Sequence, residues 1–277
     1  MSLTPVQLLE GDLAAVPERA VRALAEQAGA PVALYVLDLE GRLLCRAAGD
    51  LPLAETIELP RRIGPVLFRG CADEVIEAVA RAGDGACAHP LWLRGQAAVV
   101  AVTAERPGDG FAAALDAAAV ALEVASQHTD VLHIARRRKE TTPAAELQQE
   151  LLPPPIVRAG DAELAGVILP AYTVGGDWFD WSQLEGELRF SVGDAVGRGE
   201  RAMGLGAVAL SANRAARRRA EALEDAARRV NEAVARLGGD LFVTTVLASW
   251  DHGTSTVRWI RCGHPVPVHL RADGTPV

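Results

Sequence analysis

Two glycine-flanked aspartates stand symmetrically about a tight turn, and this arrangement limits the folds open to the second half of the chain. The segments GDWFDWSQL and ELRFSVGD flank Glu185-Gly186, a two-residue turn of the kind that joins two strands in a β-hairpin. Asp177 and Asp194 each lie eight residues from that turn, so they face each other across the strands. Opposed carboxylates repel and destabilise a sheet unless a cation compensates. The hairpin therefore predicts an antiparallel sheet with a divalent-metal site at its open end.

The same register predicts which side chains share a face of the hairpin. Asp177 and Asp194 stand at the end of an apolar face, while Asp180 and Ser191 lie on a more polar face. Carboxylate oxygens with open coordination positions suit Mg²⁺ or Mn²⁺, and neighbouring glycines let ligands approach the backbone. The alternative is that the aspartates only cap turns, since a one-residue slip in register would separate them. The apolar face consists of Phe179, Trp181, Phe190 and Val192.

Hairpins and helices alternate along the chain, and this order predicts an α+β protein. Changes of pattern divide it into a small domain with an antiparallel sheet (1–110), a helical linker (111–152) and a second domain (153–277). A strand is expected at 163–172. Helices are expected at 17–29, 73–82, 200–219 and 222–237, and further hairpins around Glu40-Gly41, Arg94-Gly95 and Asp251-His252-Gly253.

The linker has the sequence of a long helix that restarts once. An apolar seam runs from Phe111 to a basic cluster, Arg136 to Lys139, which is expected to be a solvated face. Thr142-Pro143 then supplies an N-cap and a proline at the first helical position, and three prolines stop the helix at Pro153. Two placements stay open: the long helix pairs with its copy in a homodimer, or it packs back on the sheet of its own domain.

Composition excludes several classes of function. The formal charge of −8 repels phosphate backbones and anionic lipid, so neither a nucleic-acid nor a membrane partner is expected. A signal sequence and a bilayer-spanning apolar segment are both missing, which predicts a cytoplasmic protein. The four cysteines are widely scattered without a Cys-x-x-Cys spacing, which indicates buried thiols rather than a zinc site or a disulfide framework.

Five segments between residues 147 and 274 share the order and spacing of a known family: LQQELLPPP, LPAYTVGGDWFDW, SVGDAVGRG, FVTTVLASWD and RCGHPVPVHLRADG. They resemble the metal-dependent protein phosphatases of the protein phosphatase 2C (PPM) class, in the bacterial SpoIIE/RsbU branch. The resemblance implies an αββα sandwich in which Asp177 and Asp194 are catalytic and hold two Mn²⁺ or Mg²⁺ ions, with the backbone carbonyl of Ala195 as a further ligand. It also implies a serine/threonine phosphatase that dephosphorylates an anti-sigma-factor antagonist in a partner-switching pathway. The first domain is similar to GAF-type sensory domains, which implies a small-molecule effector.

The chain departs from the family pattern at two places. Arg198 stands where the family commonly has histidine, and an arginine there can contact the substrate phosphate instead. The family completes its metal centre with a TDG-type aspartate and one further aspartate, both beyond the turn at Asp273-Gly274. The second domain is therefore expected to be incomplete at its C-terminus. Little activity is expected of these 277 residues, with at most one weakly bound metal.

A second interpretation follows from the same departures. It is a non-catalytic signalling module in which the GAF-like domain binds an effector and a pseudo-phosphatase domain docks a partner.

His264, in Cys-Gly-His-Pro, is a candidate general acid or ligand, but the family gives it no standard metal role and a structural role is favoured. A group of arginines is expected to lie on solvated helix faces. The alternative is that they dock an acidic or phosphorylated partner. These arginines are at positions 214, 217, 218, 228 and 229.

Overall fold

The computed structural model describes residues 3–108, 110–168 and 175–276. It divides the chain into two compact units, one formed by residues 1–140 with 155–158 and the other by 141–154 with 159–277. Residues 111–140, which the sequence placed in a linker, lie within the first unit. Among the described residues there is no helix with the length and apolar character that a bilayer crossing requires.

The first unit is an antiparallel sheet with helices on both faces. Its helices are α1 (Pro5–Leu9), α2 (Val16–Ala28), α3 (Ala72–Ala82), α4 (Phe111–Ser126) and α5 (Val131–Arg136). Its strands are β1 (Val32–Leu37), β2 (Leu43–Ala48), β3 (Thr56–Glu58), β4 (Leu67–Phe68), β5 (Cys87–Pro90), β6 (Gln96–Ala97) and β7 (Val99–Thr103). Five of these strands form one sheet in the order β3-β2-β1-β7-β5. The predicted helices at 17–29 and 73–82 and the hairpin around Glu40-Gly41 are confirmed.

Strand β1 separates two hydrophobic cores in this unit. All six of its residues are buried, and alternate side chains enter opposite cores because successive side chains of a strand point to opposite faces. Val32, Leu34 and Val36 pack with α1, α2 and α4. Ala33, Tyr35 and Leu37 pack with α3 on the other face. Helices therefore cover both faces of the central strand.

Helix α4 packs onto its own unit, which is the second of the two placements left open by the sequence. Ala114, Ala118 and Leu122 lie in the core that α1 and α2 share. The small alanine side chains let α4 approach α2 closely, and this burial stabilises it there. The sequence predicted a single long helix from residue 111, but the structure has two helices there. Helix α4 ends at Ser126, and α5 begins at Val131.

One residue of the basic cluster, Arg136 at the end of α5, differs from the expected solvated face, whereas Arg138 and Lys139 are exposed as expected. The guanidinium of Arg136 is partly buried and donates from Nε to the carbonyl oxygen of Leu37 at 3.2 Å and from Nη2 to that of Pro65 at 2.5 Å. A carbonyl group at the end of β1 and another in the loop before β4 thus satisfy this charged side chain. The sequence did not reveal these partners, because they lie about 70 and 100 residues earlier in the chain.

The second unit is built on a four-stranded antiparallel sheet. Its helices are α6 (Pro143–Leu151), α7 (Gly199–Arg218) and α8 (Leu223–Ala235). The sheet has the order β10-β11-β12-β13, formed by β10 (Trp178–Leu184), β11 (Glu187–Ala195), β12 (Val243–Asp251) and β13 (Thr256–Cys262). Two short strands, β8 (Ile156–Ala159) and β9 (Ala162–Ala165), precede it. The strand expected at 163–172 lies partly outside the described residues.

The elements of this unit agree with the sequence patterns. Thr142 caps α6 by accepting a hydrogen bond from the backbone N–H of Ala145 at 3.3 Å, and Pro143 is the first helical residue, as predicted. Both hairpins of the sheet are present, and α7 and α8 match their predicted spans to within two residues. The α+β class is confirmed, while the GAF-like and αββα assignments stay predictions.

The face of the sheet that the helices cover is the more polar one. Trp178 packs with Leu205 and Leu210 of α7, and the side chain of Asp180, on the same face, is only 1% exposed. Arg214 and Arg217 of α7 both bond to the carboxylate of Asp180. These two arginines are therefore not on a solvated face, because the helix turns them toward a buried counter-charge.

Candidate metal centre

The β10–β11 hairpin holds Asp177 and Asp194 opposite each other, in the register that the sequence predicted. Trp178 pairs with Gly193, and the backbone N–H of Ala195 donates to the carbonyl oxygen of Gly176 at 3.2 Å. These two pairs lie on either side of the aspartates, so the ladder continues through them. The slip in register that would have separated the carboxylates does not occur.

The glycines around the aspartates make room for protein atoms. A Cβ on Gly193 would lie 2.1 Å from the ring of Trp178, and a Cβ on Gly176 would lie 2.5 Å from the carbonyl oxygen of Ala195. Any side chain at either position would therefore displace the hairpin's own packing. Glycine at 176 also leaves the Ala195 carbonyl oxygen unobstructed on that side. The sequence analysis expected these glycines to let ligands approach the backbone, and the structure supports this only at the carbonyl oxygen of Ala195.

The two carboxylates interact strongly. Partial burial of the carboxyl group raises the pKa of Asp177, and the negative charge of Asp194 and a hydrogen bond between the two side chains raise this pKa further. The charge of His264 acts in the opposite direction. Asp177 and Asp194 remain exposed as residues, so a cation has access to both. Asp177 therefore holds its proton more tightly than an isolated aspartate does, and a divalent cation would relieve the same repulsion.

The donor chemistry fits a hard cation. Asp177 and Asp194 offer carboxylate oxygens and Ala195 a backbone oxygen, which is the ligand type that Mg²⁺ and Mn²⁺ prefer. Within 3–108, 110–168 and 175–276, no three His, Cys, Asp or Glu side chains come close enough together to hold one ion. The described residues thus supply two carboxylates to this centre.

Helix α6 contacts the centre directly, which sequence reasoning did not foresee. The buried side chain of Gln148 donates from Nε2 to the backbone oxygen of Asp177 at 3.0 Å. At the end of the same helix, the carbonyl oxygen of Leu151 accepts from Nη2 of Arg214 at 2.6 Å. The sequence did contain a signal for this contact: Gln148 occupies a position of the amphipathic helix that the helical period turns toward the protein interior, where a polar side chain needs a partner.

His264 is linked to the carboxylate pair through a neighbouring threonine. It follows β13, and its Nδ1 lies 2.9 Å from Oγ1 of Thr244, the cross-strand partner of Asp194. Arg198, at the N-cap of α7, is exposed in the loop that follows Ala195. His264 therefore lies beside the cross-strand partner of Asp194, while Arg198 follows the centre along the chain.

Part of this unit is similar to a known protein family. Residues 185–277 match the family model of Stage II sporulation protein E, SpoIIE. The SpoIIE match supports the phosphatase branch of the resemblance and covers about a third of the chain. Asp194, Ala195 and His264 lie inside it, and Asp177 lies outside it. No curated protein matches the chain.

Proposed function

We propose that the second unit is a metal-dependent serine/threonine protein phosphatase. The observation that carries this proposal is the pair of opposed carboxylates, Asp177 and Asp194, whose second member lies within the SpoIIE match. PPM phosphatases use Mn²⁺ or Mg²⁺, and two such ions would supply an activated water and neutralise the phosphoryl oxygens. Asp177, Asp194 and the carbonyl of Ala195 would hold them.

The contribution of the protein itself is positioning. The hairpin fixes the two carboxylates in one register, and Gln148 holds the backbone of Asp177 from the opposite side. Arg198 follows Ala195 in the loop before α7, and its guanidinium would bind phosphate oxygens of the substrate. No residue is needed as a covalent nucleophile, because water attacks phosphorus directly in this chemistry.

The proposed substrate is phosphoserine or phosphothreonine on an anti-sigma-factor antagonist, within a partner-switching pathway. This part follows from the SpoIIE/RsbU resemblance. The first unit, with helices on both faces of an antiparallel sheet, is proposed to be a GAF-like sensory domain that binds a small effector. The site of action would be the cytoplasm, where such antagonists act.

A phosphatase assay tests the activity. We expect the chain to release phosphate slowly from a phosphoserine peptide and from p-nitrophenyl phosphate with Mn²⁺ present, because two carboxylates hold the ions weakly. Asp194→Asn should reduce this rate by at least roughly 100-fold, since loss of even an outer partner of a metal ligand costs 10- to 100-fold. Asp240→Asn, on an exposed loop, is the matched control and should keep the wild-type rate.

The same assay decides between the phosphatase and the non-catalytic signalling module. The second candidate is favoured by one observation, that the described residues bring only two carboxylates together. A rate that does not depend on Mn²⁺, or that Asp194→Asn leaves unchanged, would contradict the phosphatase and leave partner docking as the function.

We also propose that the chain forms a homodimer. Val120 and Val124 lie one turn apart on α4, and each is 37% exposed although the opposite side of the helix is buried. Burial of this short apolar strip against its copy would hold two chains together, and we expect light scattering to report a dimer at micromolar concentrations. The double variant Val120→Glu, Val124→Glu should be a monomer in the same measurement. A wild-type chain that is monomeric throughout that range would contradict the proposal.

A further inference from the structure

The ring of His264 is held beside the carboxylate pair by contacts that leave one edge free. Its Nδ1 lies 2.9 Å from Oγ1 of Thr244, and Thr244 stands directly across the strands from Asp194. Its backbone oxygen accepts from Nη1 of Arg261 at 3.3 Å. The residue is half-buried, so the ring is restrained but still reaches solvent on the side of Nε2.

The hydrogen bond to Thr244 links the hydroxyl proton to the tautomer of the His264 ring. Over the described part of the chain, neither the Thr244 hydroxyl nor the His264 ring has another hydrogen-bond partner. When the hydroxyl donates, Nδ1 accepts as a neutral imidazole nitrogen. The ring proton then resides on Nε2, and His264 presents an N–H donor on its free edge.

A phosphate bound between these residues needs such a donor. Phosphate oxygens accept hydrogen bonds, and the carboxylates of Asp177 and Asp194 are acceptors as well. Where the cations do not screen the carboxylates, the carboxylates repel the phosphate dianion. Hydrogen-bond donors close to the phosphate offset this repulsion. The ring of His264, which contacts the cross-strand partner of Asp194, is one available donor, and Arg198 in the loop before α7 is a second candidate.

We propose that His264 is a substrate-binding residue of this centre, and that its Nε2–H donates a hydrogen bond to a phosphoryl oxygen of the bound phosphomonoester. The proposal rests on the proposed phosphatase function for the nature of the ligand. It assigns to the histidine of Cys-Gly-His-Pro a role in recognition of phosphate, distinct from metal binding. Thr244 acts as a positioning residue that fixes the tautomer.

A titration with inorganic phosphate tests the contact without relying on turnover. The chain, labelled with ¹⁵N-histidine and saturated with Mg²⁺, gives signals from six histidines, and His264→Gln identifies the one of interest. We expect the Nε2 signal of His264 to shift as phosphate is added. His269 is exposed on the segment that follows, and its signal should not move. Equal shifts at both histidines, or none at His264, would overturn the proposal.

Substitutions give the second measurement. His264→Leu should weaken phosphate binding about tenfold, the effect of losing one hydrogen bond to a charged group. His264→Gln places an amide donor near the same point and should bind within about twofold of wild type, a rescue that a purely structural role would not give. His269→Gln is the matched control. Unchanged tryptophan fluorescence shows that each variant is folded, and if His264→Leu does not fold, Thr244→Val takes its place with a smaller expected loss.

The two proposals fail separately. A chain that hydrolyses no phosphomonoester with Mn²⁺ contradicts the phosphatase, while the phosphate titration still decides the role of His264. A chain that is active, but in which His264→Leu binds phosphate as tightly as wild type, retains the phosphatase and loses this contact.

Discussion

Replacing Asp180 by alanine is expected to lower the free energy of unfolding of the second unit by about 3–5 kcal/mol. The side chain of Asp180 is 1% exposed, and its Oδ1 accepts from Nε and Nη2 of Arg214 at 3.1 and 2.8 Å. Arg217 donates to the other carboxylate oxygen and is itself only 12% exposed. Alanine would leave two largely buried guanidinium groups without their counter-charge, which is the costly way to break such a cluster.

Urea unfolding followed by tryptophan fluorescence measures this loss. Four of the five tryptophans lie in the second unit, so the signal reports mainly on it. The matched control is Asp225→Ala, which removes an exposed ion pair with Arg228 and should cost no more than about 1 kcal/mol. A loss for Asp180→Ala as small as that of the control would show that the cluster does not contribute to the folded state.

Mn²⁺ is expected to raise the melting temperature of the second unit by roughly 5–10 °C, and Asp194→Asn is expected to abolish the rise. At a metal concentration about 100 times the dissociation constant, a ligand bound only by the folded state adds about 2.7 kcal/mol. For a unit of this size, that free energy corresponds to a shift of several degrees. Differential scanning fluorimetry with and without Mn²⁺ gives the measurement, with Asp240→Asn as the control that keeps the shift. Equal stabilisation of Asp194→Asn and wild type would contradict the assignment of the site.

The pH dependence of the metal-free protein follows from the same pair. The raised pKa of Asp177 means that the folded protein binds this proton more tightly than the unfolded chain does. Folding stability in the absence of metal should therefore fall as the pH rises from the unfolded pKa through the folded one. Over the same range the affinity for Mn²⁺ should rise, because proton and cation compete for the carboxylates. Asp177→Asn should remove both slopes.

The sequence predicted the centre of the second unit well because its register depends on a local turn. Glu185-Gly186 places Asp177 against Asp194 whatever packs on the sheet, since a two-residue turn fixes the strands that it joins. The cap of α6 at Thr142-Pro143 was predictable for the same reason. Each of these features is decided by residues that are close in the sequence.

Features that depend on distant partners were not predictable. The register identified the more polar face of the hairpin, but the burial of this face depends on Arg214 and Arg217, which neutralise Asp180 from more than thirty residues away. The alanine-rich helix α4 had two plausible destinations, and only the shape of the first core selects one. The inward position of Gln148 and the motif around His264 mark both residues in the sequence, but their partners lie far along the chain and are known only from the structure.

The attachment of α6 to the centre has a consequence for how such genes recombine. Thr142 begins the helix, Leu151 bonds to Arg214 and Gln148 bonds to Asp177, so every one of these partners lies from residue 141 onward. A genetic crossover just upstream of Thr141 would carry the helix together with the aspartate that it supports. A crossover between 151 and 177 would instead leave the backbone oxygen of Asp177 without its donor. Fusions that retain a working centre should therefore have their junctions before α6, in the short segment between Arg136 and Thr142.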